Sequence, residues 1–198
     1  MLFIRQLYPE RSNGRWTSTR PEPRRARARY LMNDYARLEA LYQELVPALI
    51  RYLRRLLQHS DGQAEDIAQD AFLILMRRWP DVRDHPNLRA WLYKVARRLA
   101  IDTLQERSRE FLREEPPDQE AAGQGDPSDR YDDNVSTAVR EAIGKLPPRQ
   151  REAVWLSYFC GFKQNEIATI MQIQRGAVGA LLFQARGRLA EILGWPDS

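Results

Sequence analysis

Apolar residues recur at three- and four-residue steps early in the chain: Leu38, Leu41, Tyr42, Leu45, Leu49, Tyr52, Leu53 and Leu56. That is the period of an amphipathic helix burying one stripe. Pro47 falls within it, where a missing N–H predicts a kink or a restart. "SDGQ" (60–63) reads as a turn. "AEDIAQDAFLILMRRW" then places Ile67, Ala71, Leu75 and Met76 inward. "PDVRDHPN" (80–87) is bounded by two prolines and reads as a loop, with Asn87 placed to cap "LRAWLYKVARRLAIDTLQERSREFL". On that helix Leu88, Leu92, Val95 and Leu99 form one inward stripe. After a gap in the pattern, "STAVREAIGKL" stops at Pro147–Pro148 and "RQREAVWLSYFCGF" ends at Gly161. "KQNEIATIM" is a short helix, "QIQR" a turn, and "RGAVGALLFQARGRL" a last helix with Val178, Leu182, Ala185 and Leu189 inward. No strand runs or internal repeats interrupt this reading. The expected fold is all-α: two small helical domains joined by a flexible acidic linker.

Composition sharpens the boundaries. The chain has 198 residues and a formal net charge of +4, but the charge is unevenly spread. Residues 1–30 hold eight arginines against two acids. Having no apolar period, residues 1–33 are expected to be a disordered basic arm; a translation start at Met32 fits the same pattern. Residues 77–113 carry ten Lys/Arg against five acids, and residues 114–133 carry eight acids against one arginine. The second block, rich in Pro, Gly and Ser, marks 114–134 as a linker between helical units at 34–113 and 135–193. Adjacent basic and acidic blocks imply two surfaces with different partners.

The same inventory narrows the chemistry. A single cysteine, Cys160, rules out an internal disulfide and reads as a buried small apolar residue. Two histidines, His59 and His85, lie near turns without ligand-spaced neighbours. No nucleophile triad, metal cluster or phosphate-binding glycine loop is present. An enzyme, a cofactor and a metal are therefore not expected. No apolar run approaches the roughly 20 residues of a membrane span, and Arg5 interrupts the start too early for a secretory leader. A cytoplasmic location is the default.

Two constellations remain. On "PNLRAWLYKVARRLAID", Tyr93, Lys94 and Arg97 point away from the inward stripe, with Trp91 and Arg98 on a flank. Cations neutralise phosphates and aromatic faces stack on unpaired bases, so such a surface suits single-stranded nucleic acid. A solvated basic face with Trp91 anchored in the core has the same pattern. The second is "NEIATIM-QIQ-RGAVGALL", which has the shape of a helix-turn-helix with Ala168 at a tight contact.

"AEDIAQDAFLILMRRW", "RAWLYKVARRLAIDTLQER" and "LPPRQREAVWLSYFCGFKQNEIATIMQIQRGAVGALLFQARGRL", in that order, resemble regions 2 and 4 of bacterial extracytoplasmic-function (ECF) sigma factors of the sigma-70 family. The resemblance implies a promoter-specificity subunit of RNA polymerase. Region 2 would dock on the β′ clamp of the polymerase through Asp66, Gln69, Asp70, Phe72 and Arg77. It would read and melt the −10 element with Arg89, Trp91, Tyr93, Lys94, Arg97 and Arg98. Region 4 would meet the β flap and lay its second helix on −35 DNA through Lys163, Arg175, Gly176, Ala177, Ala180, Gln184, Arg186 and Arg188. The acidic linker would thread the polymerase channels. An anti-sigma protein is the further partner such factors commonly have.

The chain departs from the family pattern at informative places. Arg98 stands where Asn is frequent in the −10 reader, and Lys163 where Ser opens the first helix of the helix-turn-helix. Gly179, Ala180 and Leu181 stand where a basic residue, Ser and a second basic residue are frequent. Bidentate base contacts need Arg or Lys for guanine and Asn or Gln for adenine. The outward face of the last helix therefore offers only Gln184 and cations near its ends, and weak direct readout at −35 is expected, with shape contributing. A stand-alone helix-turn-helix regulator or an RNA-binding protein would each leave one of the two constellations without a purpose.

Overall fold

The computed structural model describes residues 24–57, 61–111 and 136–195. The expected acidic linker, residues 1–23 of the arm and His59 lie outside them. The described elements are α-helices α1 (Arg24–Leu56), α2 (Asp61–Arg77), α3 (Trp79–Val82), α4 (Leu88–Phe111), α5 (Thr137–Gly144), α6 (Pro148–Val154), α7 (Gln164–Met171) and α8 (Arg175–Leu193), with a π-helical turn at Trp155–Phe159 between α6 and α7. The all-α expectation holds for the described residues.

Several boundaries differ from the pattern reading. α1 begins at Arg24, inside the stretch expected to be a disordered arm: "RRARARYL" is made of good helix formers that continue the helix backwards without an apolar stripe. Pro47 sits inside α1 without ending it, on the exposed face. Residues 61–63, expected in a turn, form the first turn of α2. Within the expected 80–87 loop the chain makes the short helix α3. Pro80 lies in its first turn, where a missing N–H costs nothing, and Trp79 and Val82 are buried. Asn87 does cap α4: its Oδ1 accepts the Ala90 N–H at 2.9 Å.

In the first unit α1 and α4 pack against α2. Leu49, Leu53, Ala64, Ala68, Ala71, Leu75, Leu92, Ala96 and Ala100 have essentially no exposure. The alanines let the helix axes approach closely, and the leucines fill the space between them. Leu88, Val95 and Leu99, expected on the inward stripe of α4, are only half-buried. In the second unit, α5 opens with Ser136, whose Oγ accepts the Val139 N–H at 3.4 Å. α6 begins at Pro148. The π turn stacks Trp155 on Phe159, with ring centroids 3.9 Å apart, and is closed by the Cys160 N–H to the Trp155 carbonyl at 3.0 Å. Gly161, at φ +68°, then reverses the chain, a conformation that glycine adopts without strain. Cys160 is buried, as its isolation in the sequence suggested.

The two units share one contiguous buried core. α4 is the contact element: α2 covers one side and α7 lies on the other. This was not expected, because the pattern along α4 gave it a single covered face.

Candidate nucleic-acid interface

The helix-turn-helix is built from α7 and α8. Lys163 occupies the N-cap position of α7, and the Glu166 carboxylate accepts its backbone N–H at 2.6 Å. That is half of a capping box, and it replaces the hydroxyl cap expected of Ser. α7 ends at Gln172 in the left-handed region, φ 56°, with the Ile173 N–H on the Ala168 carbonyl at 3.1 Å. α8 starts after Gln174 and anchors through Val178, Leu182 and Ala185, all buried; Leu189, the fourth expected inward residue, is half-buried.

The opposite side of α8 is open. Lys163, Arg175, Gly176, Ala177, Ala180, Gln184, Arg186 and Arg188 are all exposed, as the sequence suggested. Phe183 stands among them at 72% exposure, the largest apolar side chain on this face. A Cβ placed on Gly176 or Gly187 would meet nothing within 4 Å, and one on Gly179 would meet only Gln164 Oε1 at 3.9 Å. Packing therefore does not require these glycines. The amide of Gln184 is held from behind: its Oε1 accepts from Gln150 Nε2 at 3.0 Å, and Gln150 is buried. Gln150 escaped the sequence reading because its partner lies a helix away.

The α2 surface divides along the helical period. Asp66, Gln69, Asp70 and Arg77 are exposed. Phe72 is not: it lies in the core at 6% exposure, edge-on to Tyr42 with ring centroids 5.0 Å apart. The expected aromatic anchor is thus a packing residue. Leu73, 43% exposed, is the apolar group that shares the stripe with Asp66, Gln69, Asp70 and Arg77. Position 73 is three and four residues from 70 and 69, so periodicity alone would have found it.

The basic–aromatic face of α4 is more changed. Arg98 is exposed, with Asp102 at 3.9 Å. Trp91 and Lys94 are half-buried, and Lys94 borders an open groove of about 530 Å³ with Thr169, Gln172 and Gln174. Tyr93, expected to point outward, has no exposed surface. It lies between Tyr52, 5.3 Å away, and Phe162, 4.8 Å away between ring centroids. Arg89 sits over the Phe162 ring at 4.3 Å and donates to the Cys160 carbonyl. Arg97 grips Glu152 with two contacts, Nε to Oε1 at 2.6 Å and a terminal nitrogen to Oε2 at 3.2 Å. Tyr52 donates its hydroxyl to the same Oε1 at 2.8 Å. Glu152, Phe162 and Cys160 belong to the second unit, which is why no periodicity within α4 anticipated this burial.

Electrostatics follow the packing. Burial pushes the Tyr52 phenol well above its ordinary value, and the charge and hydrogen bond of Glu152 add to the rise. Burial likewise raises Tyr93, with the nearby Cys160 contributing. Burial disfavours the Arg97 cation, but its hydrogen bonds to Glu152 and the carboxylate charge outweigh this and raise the guanidinium. Among the described residues no group of His, Cys, Asp and Glu is arranged to hold a metal ion. His85 accepts the Asn87 N–H on Nδ1 at 3.0 Å and so shapes the turn before α4.

Two family models match this chain. Sigma-70 region 2 matches residues 41–110, and a sigma-70 region 4 model matches residues 136–189. The ECF RNA polymerase sigma factor SigL of Mycobacterium tuberculosis is 31% identical over 165 residues, spanning 77% of this chain and 86% of its own length. The chain belongs to the ECF group of sigma-70 factors. The sigma-H factor of Pseudomonas aeruginosa is 29% identical over 150 residues, 68% of this chain and 75% of that protein. Among solved structures, the sigma factor RpoE of Bartonella quintana, seen with the anti-sigma factor NepR, superposes with a TM-score of 0.61. It is 24% identical and covers 80% of this chain and 98% of its own. CnrH, seen with the cytosolic domain of CnrY, gives 0.55 at 21% identity, covering 81% of this chain and 89% of its own. Both likenesses concern the fold. In sigma-factor terms, α2 and α4 belong to region 2, and α7 with α8 is the helix-turn-helix of region 4.

Proposed function

We propose how this chain divides among its surfaces the work of an ECF sigma factor, directing core RNA polymerase to promoters for initiation. Asp66, Gln69, Asp70, Leu73 and Arg77 on α2 dock the β′ clamp, a mixed polar stripe with one apolar contact suited to a protein interface. Arg89, Trp91, Tyr93, Lys94, Arg97 and Arg98 take the −10 element as it unstacks. Region 4 meets the β flap and lays α8 on the −35 element, and the linker at 114–134 threads the polymerase. An anti-sigma protein is a further partner in this reading, and the chain works in the cytoplasm with the polymerase. No helix among the described residues is long and apolar enough to cross a membrane.

The observation that carries the −35 assignment is the open face of α8. Its cations, Arg175, Arg186 and Arg188, are all exposed toward the helix ends and suit phosphates. Between them lie small residues and Phe183, which suit close approach and contact with thymine methyls rather than hydrogen-bonded guanine reading. The test is reconstitution with core polymerase, sequencing of the transcripts, and a template series altering each −35 base pair. Single changes are expected to cost only a few-fold. A guanine or cytosine change costing more than about tenfold, the effect of one good base contact, overturns weak readout. A stand-alone regulator would bind these sites without polymerase; a sigma factor requires it.

A further inference from the structure

Gln184 is the one uncharged hydrogen-bonding side chain on α8. It shares a stripe with Ala177 and Ala180, seven and four residues before it, whose side chains end at Cβ, and with Arg188, four residues after. Its amide is not free to turn. Oε1 points back and accepts from Gln150 Nε2 at 3.0 Å. Gln150 belongs to α6 and is only 5% exposed, so packing fixes where that donor sits. The Gln184 side chain is otherwise exposed, and its own Nε2 has no partner among the described residues. Stability does not account for the pair. Gln150 Oε1 is buried with no partner among the described residues, a desolvation cost that an apolar side chain would not carry.

We infer that Gln150 is a positioning residue: by holding the oxygen of Gln184, it turns the amide nitrogen outward and makes α8 a donor-only reader of one base pair. This rests on the assignment of α8 to −35 DNA. A freely turning glutamine reads adenine with both ends, its oxygen on N6 and its nitrogen on N7. A glutamine that shows only N–H groups selects differently. Guanine O6 and thymine O4 accept from it, whereas adenine N6 and cytosine N4 are donors at the equivalent place and oppose it. The preferred ligand is therefore a keto base on the contacted strand. Ala177 and Ala180 add no polar atom, so hydrogen-bonded discrimination along this stripe concentrates at the single base pair that Gln184 meets. Its size is that of one neutral hydrogen bond, about fivefold, within the few-fold range expected of single −35 changes.

The experiment measures initiation by holoenzyme carrying the full chain, on templates with all four base pairs at each −35 position. The readout is the ratio between templates, from which a general loss of activity cancels. At one position wild type favours guanine and thymine over adenine and cytosine on one strand by about fivefold. Gln184→Ala levels the four pairs there. Gln150→Glu offers Gln184 only acceptors, draws its Nε2 inward and turns Oε1 outward, so the order inverts toward adenine and cytosine. Gln150→Met removes the restraint without adding a charge, and the keto preference collapses. It decides the matter if Gln150→Glu fails to fold, with circular dichroism as the check. 2-Aminopurine, a guanine without O6, costs wild type its preference when placed there and names the contacted strand. Wild-type ratios retained by folded Gln150 variants overturn the inference, as does a wild-type preference for adenine alone. Replacement of the whole −35 element without loss of initiation would refute the assignment of α8 itself, and the inference with it.

Discussion

Gly179 and Gly187 provide a direct test of what the glycines on α8 are for. Both lie inside a 19-residue helix, where glycine is less favourable than alanine by about 0.8–1.0 kcal/mol. Neither position is crowded: a methyl on Gly187 meets nothing within 4 Å, and one on Gly179 meets only Gln164 Oε1 at 3.9 Å, an ordinary contact. Neither has the positive φ that would strain a side chain. Gly179→Ala and Gly187→Ala should therefore each stabilise the protein by about 1 kcal/mol. For a chain of this size that raises the melting midpoint by roughly 2–4 °C. Their consequences for DNA should differ. Gly179 lies in the second turn of α8, next to Ala180 and close to Gly176, at the end that the proposed −35 contact places in the groove. Gly187 lies eight residues further along, about 12 Å down the axis, where the same proposal has the helix outside the groove. Added bulk at 179 should weaken −35 duplex binding several-fold, and bulk at 187 should leave it unchanged. The assays are thermal melts followed by circular dichroism, and holoenzyme transcription from a −35-dependent template. If both variants are stabilised and bind DNA alike, the glycines do not serve close approach.

Other expectations follow from the same geometry. Phe72→Ala should destabilise the fold by about 3–5 kcal/mol in chemical denaturation, as removal of a buried phenylalanine does. Leu73→Ala should leave stability within about 0.5 kcal/mol yet weaken capture of core polymerase, and the opposite pattern would restore Phe72 as the anchor. Stability should be steady up to about pH 10 and fall above it. The Tyr52 phenol is raised by burial and by Glu152, so its contribution is full below the unfolded tyrosine value, near 10, and is lost as pH rises through the higher folded value. Melts across alkaline pH, with Tyr52→Phe flattening the fall, check this. Phe162→Ala should cost about 3 kcal/mol or more, because the ring fills the space between Arg89 and Tyr93 at the contact of the two units; a smaller loss in urea titrations would mean that the units barely support each other.

Much of the architecture was legible along the chain because helix period and caps are local. The stripe through Leu45, Leu49 and Leu53, the Asn87 cap, the proline break between α5 and α6 and the buried anchors Val178, Leu182 and Ala185 all follow from spacing and residue type. So do the exposed cations of α8, since their neighbours three and four residues away define the buried side. Family membership was likewise written in motif order. Three things were decided only in three dimensions. Phe72 had the chemistry of a docking anchor, but the packing of α1 on α2 sets Tyr42 against it and leaves Leu73 outside. Tyr93 and Arg97 occupy the polar side of α4, and nothing within that helix says that α7 and α6 will cover it. Glu152 carries no distinguishing signal in the sequence. It became the centre of the contact between the two units because one carboxylate satisfies a guanidinium and a phenol, on residues 55 and 100 positions away. A sequence records which faces of a helix can be buried or charged. Which distant face comes to lie against them depends on helix crossing angles and on pairing of buried charge, and both are properties of the assembled core.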